Sequence, residues 1–509
     1  MLVMCNVEQY FENNIVLNQN KYKGINFMNS DYSYALHTDK YQLNMMYAYW
    51  KRGTHNKQTV FEAYFRQNPF NNGYTVFAGL ERIVRYIENL HFTESDIEYL
   101  ATQNENYDQG FLDELRKFKF TGNIYSVQEG EIVFPNEPLI RVEARVFEAQ
   151  LIETALLNFM NYQTLIATKA SRIIQVTRGD TVVEFGSRRA QESDAAVWGA
   201  RAAYIVGFDG TSNVLAGKMF DIPALGTNAH SWIQNHDSEY EAFENFVDAL
   251  PDHAILLVDT YDTLKSGIPN AIKIGRLLKE RGKKLKAIRL DSGDLARLSI
   301  EGRKMLDEAG FEDVEIMASS DLDEEVILHL KMQGAKITSW GIGTKLITGG
   351  DWPALGGVYK IVAREVNGNL EPVIKLSEDA IKITTPGPKK TYRIINKQTN
   401  KSEGDYIAFS HEEVTDKPLK MFDPIFPHKF KYVEDYEALD LMKPIFINGN
   451  RVYDLPSMEE MRAYHKQQIG YIWDETLRYL NPQTYFVDLS QEVWDMKQAL
   501  IKKYSKRDK

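Results

Sequence analysis

A chain of 509 residues exceeds one ordinary domain, and 43% hydrophobic with 12% aromatic residues is ample for large buried cores. A formal net charge of −11 argues against general nucleic-acid binding and leaves room only for a local basic pocket. The one cysteine, Cys5, excludes an intrachain disulfide framework or a Cys-ligated metal site, and no segment approaches roughly 18 uninterrupted apolar residues, so a soluble cytoplasmic protein without a membrane partner is expected.

Residues 1–30, rich in Asn, Tyr and charge, read as a flexible leader, with Cys5 an exposed thiol of no function. TDKYQLNMMYAYWKRG then predicts a helix, with Thr38 or Asp39 as N-cap, apolar residues at helical spacing and Gly53 to end it. TVFEAYF is strand-like, and GYTVFAGLERIVRYIENL reads as helical after an Asn-Asn-Gly turn. Residues 120–147 alternate apolar and polar positions between Gly and Pro, the pattern of antiparallel strands, and ETALLNFMNYQTLIATKASRIIQV predicts a helix. An N-terminal α/β domain is therefore expected over 31–150.

Between residues 182 and 347 the chain repeats a second pattern: VVEF before GSRRAQ, YIVGF before DGTSN, IPAL before GTNAHS, AILLVD before TYD, KAIRL before DSGD, EIMA before SSDLD, SWGI before GTKL. These runs begin about 17 to 33 residues apart with helical sequence between them, the repeat of β/α units. A β/α barrel over 151–355 is expected, its polar clusters following the strands where such barrels carry their active residues. Beyond 355, short strands (GGVYKIVARE, EPVIKLS, TYRIINK), a Pro-Gly-Pro turn at 386–388 and an aromatic, partly helical tail form a C-terminal region, 356–509, either a separate appendage or partly packed on the first domain.

Several of these clusters can do chemistry. His230 sits uncrowded among Gly226, Thr227, Ala229 and Ser231, which suits nucleophile or base work as well as a structural role. Arg188, Arg189 and Arg289 at strand ends need partners, either Glu184, Asp291 and Asp294 or an anionic substrate. Asp259, Asp262, Asp291 and Asp294 can bind ribose hydroxyls or a Mg²⁺ that also holds phosphate, or simply cap helices. Gly343 and Thr344 in GIGTKL, with Ser319 and Ser320 before them, offer N–H and hydroxyl donors to a phosphate.

TDKYQLNM, FEAYFRQNPF, GYTVFAGLERIV, EFGSRRAQ, GFDGTSNVLAG, GTNAHSW, LLVDTYDTLKSG, RLDSGDL, SSDLDE and GIGTKL, in this order, closely resemble the nicotinate phosphoribosyltransferase family in its longer bacterial form, over roughly residues 31 to 509. The resemblance implies the type II phosphoribosyltransferase fold, an N-terminal α/β domain beside an irregular β/α barrel, in a homodimer. It implies that nicotinate and phosphoribosyl pyrophosphate (PRPP) give nicotinate mononucleotide and pyrophosphate with Mg²⁺ and ATP hydrolysis, as a ligase of NAD salvage. His230 is similar to the histidine phosphorylated by ATP. Tyr41, Thr227 and Arg289 fall at nicotinate-contacting positions, the arginine matching its carboxylate. Thr344 matches the 5-phosphate position, and Arg188 and Arg189, with Ser231, Asp291, Asp294, Ser319, Ser320 and Gly343, match the phosphoribosyl pocket; the metal ligands stay undefined. Ser320 departs from the glycine or other small residue expected there, which leaves the backbone less free.

Three other readings stand beside this one. A nicotinamide-specific relative would carry an acidic residue where this chain has neutral Ser212, and an aspartate there would repel a carboxylate. A quinolinate-specific relative would need a more basic pocket and no phosphorylated histidine. A non-catalytic sensor of the same fold would have lost some of the residues that are all present here.

Overall fold

The computed structural model describes residues 33–379 and 382–505, so the leader and Cys5 lie outside the described residues. The N-terminal helix runs Lys40–Lys51 with Asp39 at its N-cap, and Gly53 follows at φ +67, the left-handed conformation that ends helices most cheaply when no Cβ is present. The predicted helix over GYTVFAGLERIVRYIENL is shorter than its apolar pattern suggested. Thr75–Val76 forms a strand paired with Ile132–Val133, and the helix begins only at Leu80, after Gly79 at φ +109.

Seven strands make an antiparallel sheet in the order Asn369–Pro372, Val358–Val366, Gln58–Tyr64, Ile140–Arg145, Asn123–Ser126, Lys443–Ile447, Asn450–Arg451. Strands from beyond residue 355 thus flank strands from before residue 150 on both sides. EPVIKLS contributes only Glu371 and Pro372 to the strand, its remainder running on outside it.

The 25-residue helix Glu153–Thr177 joins this sheet to the next layer. Its first half puts Ala155, Leu156, Phe159 and Met160 into the N-terminal core, and its second half puts Ile166, Ala167, Ala170, Ile173 and Val176 into the core of the barrel. Apolar residues on nearly every face fit a helix wrapped by two cores rather than one lying on a surface.

The second sheet has six parallel strands in the order Gly210–Thr211, Thr181–Glu184, Ser339–Ile342, Glu315–Ala318, Ala287–Leu290, Ile255–Leu257. The two outer strands do not pair with each other, so the barrel is irregular and half-closed. Two of the apolar runs are not strands. Tyr204 and Ile205 of YIVGF close the helix Glu192–Ile205, and IPAL makes only an isolated bridge from Ala224 to Thr211. Short apolar runs at a helix end carry the same signal as buried strands, and periodicity cannot separate them.

A four-stranded sheet, Tyr436–Asp440, Lys389–Asn396, Ser402–Phe409 and Val487–Leu489, completes the C-terminal region. It is tied to the N-terminal layer through charge: Arg393, fully buried and paired within its own sheet with Asp405 at 2.7 Å, also pairs with Glu131 at 2.6 Å, and buried Lys389 pairs with Glu62 at 2.7 Å. No helix among the described residues is long and apolar enough to cross a membrane.

Candidate active site

The loops after the parallel strands enclose a cleft of about 200 Å³ lined by Phe185, Arg188, Arg189, Arg289, Asp291, Ser319, Ser320, Asp321, Gly341, Gly343 and Thr344. Its floor depends on small residues. A Cβ on Gly341 would come within 2.6 Å of the Phe185 ring, and one on Gly186 within 2.6 Å of Ile347 in the short helix Thr344–Ile347, so both positions need glycine for these segments to approach. Glu184 ends its strand fully buried, where it accepts hydrogen bonds from the Gly186 N–H and, at 2.5 Å, from the Thr211 hydroxyl; burial pushes its carboxyl above the usual range despite both bonds.

Arg289 is the most constrained group in the cleft. Its Nε donates to Ser319 Oγ at 2.9 Å, Nη1 to Thr227 Oγ1 at 2.7 Å and to the Asn228 carbonyl at 3.3 Å, and Nη2 to Asp291 Oδ1 at 2.9 Å. Of five guanidinium N–H groups one is left over. The guanidinium also lies 5.8 Å from the Phe185 ring centre. Burial alone would raise the Asp291 carboxyl, but the Ser319 hydroxyl and the Arg289 charge outweigh it and hold the group below its ordinary value.

His230 opens the short helix His230–Gln234, and its Nε2 lies 3.1 Å from Oδ1 of Asp259, whose side chain is 2% exposed against 38% for the histidine. The other oxygen of Asp259 accepts from the Asp291 N–H at 2.8 Å and the Ser292 hydroxyl at 2.7 Å. One buried carboxylate therefore orients the imidazole and pins the DSGD loop. A carboxylate on Nε2 fixes that nitrogen as the N–H, which leaves Nδ1 with the lone pair; Nδ1 has no partner among the described residues.

Arg188 and Arg189 lie in a 3₁₀ turn, exposed to the cleft, with no carboxylate within ion-pair distance among the described residues. The choice between structural pairing and anion binding therefore divides by residue: Arg289 is paired with Asp291, and the two others are free.

Of the predicted residues, Thr227 and His230 reach the lining only through Arg289 and through Asp259, and five others stand outside it. Asp294 caps the helix Leu295–Glu308, accepting from the Arg297 N–H at 3.0 Å, and Asp262 likewise caps the turn at 263–267. Ser231 is exposed on the His230 helix. Ser212 is exposed at the end of its strand, its N–H bonded to the Glu184 carbonyl at 2.9 Å. Tyr41 is 49% exposed on the first helix, its phenol pushed up by partial burial and then by Glu153 and Asp39. Conversely, Phe185 and Asp321 line the site without having been singled out for it. Both lie inside the motifs EFGSRRAQ and SSDLDE, while Asp259, expected to bind ribose or Mg²⁺ or to cap a helix, instead holds His230 and the DSGD loop.

Ser320 adopts φ +98, a left-handed conformation that favours glycine. The departure noted from sequence is therefore real backbone strain, located in the cleft wall. Among the described residues no cluster of three or more His, Cys, Asp or Glu side chains could hold a metal ion.

Residues 36–161 match the model of the nicotinate phosphoribosyltransferase N-terminal domain, 181–402 that of the nicotinate phosphoribosyltransferase family, and 388–497 that of the nicotinate phosphoribosyltransferase C-terminal domain. The chain is 52% identical over 480 residues to the nicotinate phosphoribosyltransferase of Bacillus subtilis, covering 94% of this chain and 97% of that one. It is 36% identical to the enzyme of that name from Dictyostelium discoideum, covering 90% and 86%. The crystal structure of human nicotinic acid phosphoribosyltransferase superimposes with a TM-score of 0.81 at 28% identity, covering 91% of this chain and 99% of that one.

Proposed function

Because this chain belongs to the nicotinate phosphoribosyltransferase family, a family of transferases in NAD biosynthesis, we propose that it couples ATP hydrolysis to the transfer of phosphoribose onto nicotinate through a phosphorylated His230. The observation that carries the coupling is the His230–Asp259 pair, which leaves Nδ1 as an uncrowded nucleophile at the edge of a cleft with two unpaired arginines.

In this reading Nδ1 of His230 attacks the γ-phosphorus of ATP; an N–P bond forms, the bond to the bridging oxygen breaks, and ADP departs. The ring nitrogen of nicotinate then attacks C1 of PRPP, the C1–O bond to pyrophosphate breaks, and nicotinate mononucleotide forms. Water finally cleaves the N–P bond. Nicotinate attacks through a lone pair, so no proton has to be removed from the base. The barrier lies in charge separation at C1, and Arg188 and Arg189 offset the negative charge that develops on pyrophosphate.

Thr344 and Gly343, with the Ser319 and Ser320 hydroxyls, are assigned to the phosphate end of PRPP. Arg289 is assigned to the nicotinate carboxylate, which takes its one remaining N–H and competes with Thr227 for a second, while Phe185 supplies an aromatic face for the ring. A guanidinium favours nicotinate over uncharged nicotinamide, and neutral Ser212 adds no repulsion.

Mg²⁺ would enter with the polyphosphates. It needs one or two carboxylates besides phosphate oxygens, and Asp321, which lines the cleft without a partner of its own among the described residues, meets that need while Asp291 is committed to Arg289. A homodimer and a cytoplasmic location complete the proposal. In a dimer, exposed Tyr41 can serve the partner's cleft, which explains its distance from the lining residues here.

The deciding experiment supplies PRPP and Mg²⁺ with nicotinate or nicotinamide, each with and without ATP. Nicotinate mononucleotide formed faster with ATP, and loss of that stimulation in His230→Ala, are expected. Nicotinamide mononucleotide as product, or an unaltered response to ATP in the variant, would refute the reading.

A further inference from the structure

A second cavity, of about 390 Å³, is separate from the cleft. It lies at the far end of the Glu153–Thr177 helix and is lined by Gln175, Val176, Arg178, Leu328, Asp474 and residues 477–480. That volume falls within the range of small-molecule sites, roughly 300–1,000 Å³. Arg178 follows the helix as its C-cap, exposed and without a side-chain partner among the described residues. Arg478 donates only to the Glu475 carbonyl, at 3.0 Å, and Asp474 lies beyond ion-pair distance of both. The same lining carries Val176, Leu328, Leu477, Leu480 and Tyr479, with Leu480 77% exposed. Two unpaired guanidiniums beside an aromatic and an aliphatic wall match a molecule with a phosphate at one end and a flat apolar ring at the other.

We propose that this cavity is a second ligand site, for a mononucleotide, with its phosphate on Arg178 and Arg478 and its base against Tyr479 and the leucines, and that its occupation adjusts the cleft.

The connection to the cleft is short. Leu328 belongs to the helix Glu324–Met332, which begins directly after the Ser319–Asp321 wall of the cleft. Glu324 at its start is gripped by Lys169 at 2.7 Å and Arg172 at 2.7 Å, and the Arg172 guanidinium lies 4.8 Å from the Tyr479 ring centre. Lys331 near its end is held by Asp180 at 2.7 Å. Lys331 also donates to the Thr177 carbonyl that closes the long helix, so a ligand that draws Tyr479 inward pulls through Arg172 on Glu324, at the end of the helix that adjoins the serine loop. The site's existence is independent of the proposed reaction; only its effect on the cleft rests on that reading.

The test is calorimetric titration of the full chain with adenosine monophosphate, adenosine and inorganic phosphate, in the wild type, in Arg178→Ala/Arg478→Ala, and in Arg188→Ala/Arg189→Ala. Expected is adenosine monophosphate affinity at least tenfold above that of either fragment, lost at least tenfold in the first variant and retained in the second. No binding at millimolar concentration, equal binding of phosphate alone, or loss only in the cleft variant would overturn the site. With binding established, an unchanged KM for PRPP on adding the nucleotide would overturn the regulation alone. Absence of any turnover with nicotinate would instead count against the catalytic reading and leave the binding result standing.

Discussion

Asp259 does two jobs with two oxygens, holding His230 on one and the DSGD loop on the other. Asp259→Asn keeps the size but removes the charge that fixes the imidazole tautomer and stabilises it as phosphoryl transfer proceeds. ATP-stimulated turnover should fall on the order of a hundredfold, with acid-labile labelling of the protein by γ-labelled ATP falling in parallel. Turnover within a factor of two of wild type would show that the pair is structural. Ser320 gives the opposite kind of prediction. Relief of its φ +98 strain is worth about 1–3 kcal/mol, against about 0.4–1 kcal/mol for the added freedom of glycine in the unfolded chain. Ser320→Gly should thus stabilise by about 1 kcal/mol in denaturant unfolding, whereas Ser320→Ala should not. A destabilised glycine variant would mean that the serine hydroxyl contributes more than the strain costs. Sequence exposed the oddity of Ser320 but could not show that Arg289 and Arg188 differ. Three arginines at strand ends read alike until the Thr227, Ser319 and Asp291 contacts separate the anchored one from the free ones.

At the level of elements, five of the six parallel strands were legible because each is an apolar run closed by a polar loop, and the cleft loops followed from them; the sixth, Gly210–Thr211, lies inside what read as the loop DGTSN. The misread runs differ in cause: YIVGF ends a helix and is apolar because it is buried, whereas IPAL crosses the edge of the sheet with Ile222 buried but Leu225 41% exposed. The helix Met458–Tyr471 shows what a pattern search passes over. His465, buried on its inner face, lies with Nδ1 2.9 Å from the Gly130 carbonyl, and the Gly130 turn is so close that a Cβ there would meet His465 at 3.1 Å. Burial first, against the carbonyl bond and aided by Arg462, lowers the imidazole to about 4 from 6.5. The unfolded chain then binds the proton that the fold excludes, so this group's stability is complete above pH 6.5 and is lost as pH falls toward 4. Wild type should lose on the order of 3 kcal/mol relative to His465→Gln across that window, read as the difference between two urea-unfolding series. Parallel pH profiles would place the neutral histidine elsewhere.

On the scale of the whole molecule, the chain closes on itself, and composition gave no hint of which end pairs with which. Strands beyond residue 355 were visible in sequence, but pairing partners are set by register over hundreds of residues, not by local pattern. Val358–Val366 completes the sheet beside Gln58–Tyr64, Lys389 neutralises buried Glu62, and Arg393 neutralises buried Glu131, which also accepts from Tyr464. A chain ending at residue 355 would keep the half-barrel and every cleft residue yet expose the edge of the Gln58–Tyr64 strand and leave two buried carboxylates without cations. Breaking one such pair costs about 3–5 kcal/mol, and two exceed much of the stability of an ordinary domain, about 5–15 kcal/mol. The truncated chain should therefore be insoluble or lack a cooperative thermal transition, and co-expression with residues 356–509 as a separate chain should restore both solubility and the transition. A soluble fragment 1–355 that unfolds cooperatively by calorimetry would mean that the first sheet is stable without its returning strands and that the C-terminal region is an appendage after all.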